Sequence, residues 1–297
     1  MRLLRRILGA AVIVAALLVV AGWLILRASL PDLDGAIAVT GIDRPATIER
    51  DANGIPVITA STRQDLAFAT GFAHGQDRFF QMDLIRRQAA GELSELVGAA
   101  AIATDKRHRF HRFRVRARAV YEAATPTERR LIEAYAAGVN AGLASLGARP
   151  FEYLVLGAEP RPWDPLDSLL VVYSMYMQLN DSRATREVRR GLVHRVLPAE
   201  VYAWMYPQGT SWDAPIMGGP RAIPPIPGAD VYSLRDVPDD APAANEIGRY
   251  PLRGSNNWAV AGTLTASGRA LVSNDMHLGH STPNIWYQAR LRATAEE

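Results

Sequence analysis

The chain begins with a short basic segment followed by a long apolar run. Arg2, Arg5 and Arg6 precede the stretch from Ile7 to Leu26, which contains no charged side chain. A helix of about 20 residues spans roughly 30 Å, the thickness of the hydrocarbon core of a bilayer. The pattern predicts a membrane anchor over residues 7–26, with its basic end in the cytoplasm and the remainder exported. A cleaved signal peptide is the alternative, although its apolar core is usually shorter.

The next pattern is that of a β-hairpin, reached through a short turn-rich linker over residues 31–41. Residues 47–51 and 55–59 are β-prone, and Asn53-Gly54 lies between them. Because both turn residues tolerate a positive φ, this dipeptide is a strong local signal for a hairpin. Pro56 lacks a backbone N–H and therefore predicts that its strand is an edge strand or carries a bulge.

Helical periodicity then dominates as far as about residue 180. Apolar residues recur at spacings of three and four from about Arg63, and again over residues 123–146, where Pro126 suits a first turn. A third helix is predicted from Leu166 to about Leu179, since Asp164 can cap its free amides. This third helix is apolar nearly all round, which predicts that it is buried.

Prolines recur between residues 220 and 253 without helical or strand periodicity, which predicts an exposed linker. Two β-prone runs follow, and the turn-rich sequence between them predicts a second hairpin. Folding this hairpin about Ala266 sets Ser255 across from His277, and opposed side chains in an antiparallel pair lie about 5 Å apart. The residues alone therefore predict a serine and a histidine together at the strand ends.

Composition removes several classes of chemistry. The chain has no cysteine, which excludes disulfides, cysteine nucleophiles and iron–sulfur clusters, and its net charge of +3 indicates no particular partner. The run from Lys106 to Arg118 holds seven basic residues with two phenylalanines interleaved. One interpretation is a membrane-anchored, non-catalytic helical protein that binds nucleic acid or anionic lipid through this run. A solvated arginine-rich helix face is the other, and the modest net charge favours it.

Five runs also carry a family resemblance, in chain order. They are Asp51–Thr59, Gly71–Asp83, Arg86–Glu92, the Ser-Asn-Asn-Trp run that starts at Ser255, and Asn274–Gly279. The first three resemble the α-chain, and the last two the start of the β-chain, of the penicillin acylase family of N-terminal-nucleophile hydrolases. Within the second run, His74-Gly75-Gln76-Asp77 has no second metal ligand at a metal-motif spacing and is interpreted as structural.

The resemblance implies an α+β fold, of which this sequence holds a part. Residues 1–30 form an anchor or signal peptide, 31–219 a mainly helical α-chain region, and 220–254 a proline-rich spacer. Residues 255–297 then supply only the first strands of the β-chain, so the family's αββα sandwich is expected to be incomplete. The oxyanion donors of the family lie further along the β-chain, and the 297-residue fragment is therefore expected to be inactive.

The resemblance further implies an amidohydrolase precursor that cuts its own chain between Gly254 and Ser255. Ser255 then supplies both a hydroxyl nucleophile and an α-amine base, with His277 contacting that amine. The implied substrates are linear N-acyl amides, such as penicillins or acyl-homoserine lactones. The implied product is a periplasmic heterodimer of α-chain and β-chain that needs no organic cofactor.

A calcium site and part of the acyl pocket are implied as well. Glu187 matches the α-chain glutamate that binds calcium in the family, and the other ligands are expected beyond Glu297. A solvated glutamate paired with a neighbouring arginine is the alternative for Glu187. Met177 and Asp181 match residues that border the acyl pocket. Asp181 replaces an aromatic residue of phenylacetyl-selective members, which leaves the acyl preference open.

Overall fold

The described residues of the computed structural model are 2–180, 184–211, 213, 215, 217–233, 235 and 255–294. Two of the predicted site residues, Asp181 and Gly254, lie outside this set. Contacts divide the chain into a first unit, Met1–Tyr176 with His280–Glu297, and a second unit, Met177–Gly279. The predicted division at residues 219 and 254 concerns processing of the chain and stays a prediction.

Helices account for most of the described elements. The helices are α1 Arg2–Ala28, α2 Arg63–Ala90, α3 Ser94–Val97, α4 Ile102–Arg109, α5 Phe113–Ala123, α6 Pro126–Ala144, α7 Phe151–Leu156, α8 Pro165–Leu179, α9 Thr185–Val196 and α10 Ala199–Met205. The strands are β1 Thr47–Arg50, β2 Pro56–Ala60, β3 Ser255–Val260, β4 Leu271–Met276 and β5 Arg290–Ala293. This mixture confirms the predicted α+β class.

Helix α1 contains the apolar run. Its segment Arg5–Ala28 has a mean hydropathy of 2.7 and is long and apolar enough to cross a membrane. A signal sequence near the N-terminus meets the same criterion. The carbonyl of Ala28 accepts a hydrogen bond of 2.8 Å from the amide of Ala148, so the end of α1 contacts the loop after α6.

The first predicted hairpin is confirmed, but the predicted position of its second strand is wrong. β1 and β2 are antiparallel, and Gly54 has a φ of 75° in the turn between them. β2 is the central strand of a three-stranded sheet in the order β1-β2-β5. Its pairing with β5 begins only at Val57. Pro56 can therefore start a central strand, because the ladder with β5 needs no N–H from it.

Helices α2 and α6 pack with their backbones unusually close together. Gly71 and Gly75 of α2 lie against the backbone of α6, while Gly138 and Gly142 of α6 lie against that of α2. A Cβ added at any of the four would collide with a carbonyl oxygen of the facing helix. The glycines thus permit this approach, and beside it Phe79, Ala136, Val139, Tyr153 and Trp163 form a buried core cluster.

The expectation that α8 is buried is wrong for one of its faces. Leu170 and Ser174 are buried, but Val172 is 64% and Tyr176 56% exposed. The ring of Tyr173 stacks on that of Phe113, with 4.7 Å between the ring centroids. An apolar composition all round a helix permits burial on every side, whereas the described part of the chain covers only one side of α8.

Candidate active site

Ser255 is the first residue of β3, and the predicted hairpin that it starts is confirmed. β3 and β4 are antiparallel, and every residue of both strands is exposed. The predicted register, however, is wrong by one residue. Ser255 pairs with Met276, and Asn256 pairs with Asp275. Ser255 therefore does not lie directly across from His277.

The loop between the strands accounts for this shift. The Thr265 hydroxyl hydrogen-bonds to the carbonyl oxygens of Gly262, at 3.0 Å, and Arg269, at 2.8 Å. The amide of Thr265 also donates to the Gly262 carbonyl at 3.1 Å. These bonds fold residues 261–270 into the loop between the strands. Because the loop has an even number of residues, the centre of the hairpin lies between Thr265 and Ala266 instead of on Ala266 itself.

His277 is placed next to a carboxylate. Its Nε2 lies 3.0 Å from Oδ2 of Asp275, and both side chains are about half exposed. Since alternate residues of a strand share a face, Asp275 lies on the face opposite to that of Ser255 and Met276. β4 runs antiparallel to β3, so His277 follows Met276 on the side of Ser255 that carries the backbone nitrogen.

The other predicted site residues that the structure describes lie on helices α8 and α9 and not on the hairpin that contains Ser255. Met177 is half-buried near the end of α8, and Glu187 is exposed in the first turn of α9. A carboxylate in that position is favoured by the positive end of the helix dipole. No group of three or more His, Cys, Asp or Glu residues with metal-binding geometry occurs among the described residues. The calcium site stays a prediction.

Sequence reasoning did not foresee the buried ionic centre of the first unit. Arg86 and Asp83 are fully buried, and Arg86 Nε donates to Asp83 Oδ1 at 2.7 Å. Arg86 also pairs with Asp167 and donates to the backbone carbonyls of Pro162, at 2.9 Å, and Arg161, at 2.5 Å. The guanidinium lies 4.8 Å from the ring centroid of Trp163. α2 is thereby tied to the start of α8.

Two further groups complete this centre. The Tyr153 hydroxyl donates to Asp83 Oδ2 at 2.6 Å, and Arg87 Nε donates to Asp83 Oδ1 at 2.9 Å. Burial, with the hydrogen bond to Asp83, raises the pKa of Tyr153 above its usual range and keeps the phenol protonated. Arg86 and Arg87 thus pair with Asp83, while Arg86 and Arg114 pair with Asp167. The spacing of Asp83 to Arg86 and Arg87, three and four residues along one helix, was the available sequence signal.

Part of the basic run Lys106–Arg118 is also used inside the first unit. Arg114 pairs with Glu92 through two nitrogens, one of them 2.6 Å from a Glu92 oxygen. Arg109 Nε donates to the Gly91 carbonyl at 2.7 Å, and Phe113 is buried. These contacts occupy cations and a ring that a nucleic-acid surface would need to expose.

A cavity of about 650 Å³ also lies in the first unit. Its walls are the segments from Asp32 to Val39 and from Ile42 to Arg50, together with Phe68, Ala69, Phe72 and Gln76 of α2. Ser255, His277, Met177 and Glu187 are not part of this lining. Residues of the first unit alone therefore form the cavity.

Comparisons with individual proteins give several relatives, and a comparison with solved structures gives a structural neighbour. The chain is 34% identical over 275 residues to the penicillin acylase 2 proenzyme of Pseudomonas sp. (strain SE83), covering 90% of this chain and 34% of that protein. It is 33% identical over 274 residues to the acyl-homoserine lactone acylase QuiP of Pseudomonas aeruginosa, covering 89% of this chain and 31% of that protein. A thermostable penicillin G acylase from Alcaligenes faecalis aligns with 60% of this chain and 98% of the solved chain, with a TM-score of 0.48 and 21% identity.

The chain spans about a third of the length of the curated relatives that it matches. The family model for penicillin amidase matches residues 45–296, which includes both hairpins, the helices between them and the Ser255 segment. This match extends over most of the chain, and the chain belongs to the penicillin amidase family.

Proposed function

We propose that this chain is part of the precursor of an amidohydrolase that cleaves linear N-acyl amides with Ser255 as its nucleophile. The observation that carries the proposal is the position of Ser255, exposed at the first residue of β3 in a chain of the penicillin amidase family. A nucleophile at the start of a strand can become a chain terminus without loss of the hydrogen-bonded pairs that follow it.

In the proposed maturation, Ser255 Oγ attacks the carbonyl carbon of Gly254. The peptide C–N bond breaks as the C–O bond forms, and the acyl group moves from nitrogen to oxygen. Water then hydrolyses the ester, which leaves a carboxylate on Gly254 and a free α-amine and hydroxyl on Ser255. An unperturbed α-amine has a pKa of about 7.7–8.0, so an appreciable fraction is a neutral base near neutral pH.

The same groups would then act on the substrate. The α-amine takes the hydroxyl proton as Ser255 Oγ attacks the substrate carbonyl, and the amine product leaves with a proton. Water hydrolyses the resulting ester and releases the carboxylic acid. His277 follows Met276 on the side of the Ser255 backbone nitrogen, and Asp275 holds its ring at 3.0 Å. We assign this pair to positioning the α-amine.

Met177 and Asp181 are proposed to border the acyl group, and the substrate panel must therefore cover several acyl types. The protein expressed from its complete reading frame is expected to release amine from at least one of penicillin G and acyl-homoserine lactones of short and long chain. Chromatography of the amine product measures this. Failure of a protein with a free Ser255 α-amine to hydrolyse any of these amides would contradict the proposal.

Calcium is proposed as a structural ion that binds Glu187, because a carboxylate is the hard oxygen ligand that calcium prefers. Chelation is then expected to lower the Tm of the protein, since an ion present at about 100 times its Kd stabilises by roughly 2.7 kcal/mol. Glu187→Gln should remove most of this chelator effect. Glu200→Gln, which changes the exposed first-turn glutamate of α10, is the matched control. A Tm unaffected by chelator in the unmutated protein would exclude the role.

Helix α1 supports a proposal about location. We place the folded part of the chain on the periplasmic side, held by α1 as an anchor or delivered by it as a signal. The two cleavage products would stay associated as α-chain and β-chain. β5, which follows Ser255 in the chain, already pairs with β2, which precedes it.

A further inference from the structure

The end of helix α1 is held against the loop that follows α6. The amide of Ala148 donates a hydrogen bond of 2.8 Å to the carbonyl of Ala28. Gly147 lies close to the same carbonyl, because a Cβ added at Gly147 would be 3.2 Å from the Ala28 oxygen. The loop is therefore fixed at the point where the apolar helix meets the rest of the first unit.

The last residues of α1 are of the kind found where a membrane meets water. The Arg27 guanidinium lies 5.8 Å from the centroid of the Trp23 ring, and both side chains are exposed. Tryptophan is enriched at the headgroup level, and an arginine near a helix end turns its charge toward water. The rise of an α-helix puts Trp23 and Ala28 about 7.5 Å apart along the axis. In a bilayer crossed by α1, Ala28 and the loop bound to it therefore lie at the headgroup level.

Helix α7 begins directly after this loop, and its orientation is fixed by a buried tyrosine. The side chain of Tyr153 is fully buried, and its hydroxyl donates to Asp83 Oδ2 at 2.6 Å. With about 3.6 residues per turn, Phe151 and Val155 lie on the side of the helix opposite to Tyr153. Phe151 is 48% exposed, Val155 is 80% exposed, and Leu156 beside them is 38% exposed. α7 thus turns an apolar face away from the core.

This apolar face is close to the end of α1. Ala148 and Phe151 are three residues apart, a separation that an extended chain covers in about 10 Å at most. Val155 follows Phe151 by four helical residues, or about 6 Å along the axis. Apolar faces of helices that lie on a membrane are buried about 5–10 Å into the boundary between headgroups and acyl chains. The exposed face of α7 is therefore within reach of a bilayer that α1 crosses.

We propose that Phe151, Val155 and Leu156 form a membrane-contact face that inserts into the headgroup–acyl boundary of the bilayer crossed by α1. The partner is a lipid surface, and because the contact is apolar it needs no anionic lipid. A single transmembrane helix leaves the attached unit free to rotate about the helix axis. A second contact removes this freedom and fixes which side of the first unit faces the membrane. The inference rests on the proposed role of α1 as an anchor.

An added cysteine that carries an environment-sensitive dye tests this contact. These 297 residues contain no cysteine, so the label is confined to the chosen position within them. The product of the complete reading frame is placed in phosphatidylcholine vesicles with a nitroxide in the upper part of the acyl chain, and parent protein treated with the dye gives the background. The probe of Val155→Cys is expected to emit at shorter wavelength and to be quenched by the nitroxide lipid. Adding Phe151→Asp should largely abolish this quenching, because a charged side chain opposes insertion.

The matched control is Val120→Cys on α5. Val120 is also an exposed valine, 47% exposed, and lies six residues before the start of α6. α6 has 19 residues and is about 28 Å long, so its start is far from the loop that contacts α1. The probe of Val120→Cys should keep the emission of a dye in water. Equal quenching of the Val155 and Val120 probes would overturn the inference, because the lipid contact would not be specific to α7.

A third probe, in Leu30→Cys, tests the anchor separately. Leu30 follows α1 by two residues and is 61% exposed, so its probe reports on the headgroup level whatever α7 contacts. Quenching at Leu30 without quenching at Val155 would overturn the inference, whether water or another part of the polypeptide covers α7. Quenching at Val155 without quenching at Leu30 would support the lipid contact of α7 and count against α1 as the anchor. Absence of quenching at both positions would refute both proposals.

Discussion

Ser255→Ala is expected to abolish both cleavage of the chain before residue 255 and amide hydrolysis. Alanine removes the only side-chain atom at this position that can attack the Gly254 carbonyl, and the exposed position of residue 255 means that the strand is little disturbed. Intact-mass spectrometry of the product of the complete reading frame measures cleavage, and amine release measures turnover. The uncleaved mass should persist in the variant.

Two further variants separate the nucleophile from its surroundings. Ser255→Cys should retain some cleavage, because a thiol can make the equivalent N-to-S acyl shift. His277→Ala should slow cleavage or turnover by less than the roughly 10²-fold to 10⁴-fold that loss of a proton-transferring group costs, because His277 only positions the α-amine. Ser273→Ala, on the exposed strand β4, is the control and should process normally. Normal cleavage of Ser255→Ala, or a mature chain that begins at another residue, would refute the assignment.

Arg86→Met is expected to give the largest loss of stability in the first unit. Methionine fills much of the volume but leaves the buried carboxylates of Asp83 and Asp167 without this cation. Breaking a buried ion pair by removing one partner costs about 3–5 kcal/mol, a large share of the roughly 5–15 kcal/mol that typically separates folded from unfolded chains. Denaturant unfolding, followed by tryptophan fluorescence to which Trp163 beside Arg86 contributes, measures the change.

Arg118→Met provides the matched control for this substitution. Arg118 is exposed on α5, and such surface changes usually alter the free energy of unfolding by no more than about 0.5 kcal/mol. Similar unfolding curves for the two variants would show that the buried pairs contribute little. In that case the close contact between α2 and α6, and not the ionic centre, would account for the stability of the unit.

Local patterns predicted helices α1, α2, α6 and α8 and both hairpins because their causes are local. Thr62 caps α2 by accepting from the Asp65 amide, and Thr125 and Glu128 form a capping box at the start of α6. Asn53-Gly54 likewise determined the first hairpin. Each signal involves residues at most four positions apart, so both partners of each interaction lie within one short stretch of the sequence.

Local patterns of this kind did not predict the register of the second hairpin correctly. The strands were recognisable, but the hydroxyl of Thr265 bonds to two carbonyls of the loop and moves the turn by half a residue. A shift of one residue places Met276 instead of His277 directly across from Ser255. The burial of α8 was likewise predicted incorrectly, because the apolar composition of a helix does not indicate which of its sides packs against a neighbour.

The sequence by itself therefore determined both hairpins, helices α2, α6 and α8, the apolar N-terminal helix and the family with its candidate nucleophile, Ser255. Only the tertiary structure decided which charged residues are buried and which distant segments meet. Arg86 donates a hydrogen bond to Asp167, 81 residues away in the sequence, and Asp77 accepts one from Tyr287, 210 residues away. The reason is physical: burying a charge is favourable only where partners converge on it, and convergence is a property of the packed chain rather than of any local pattern.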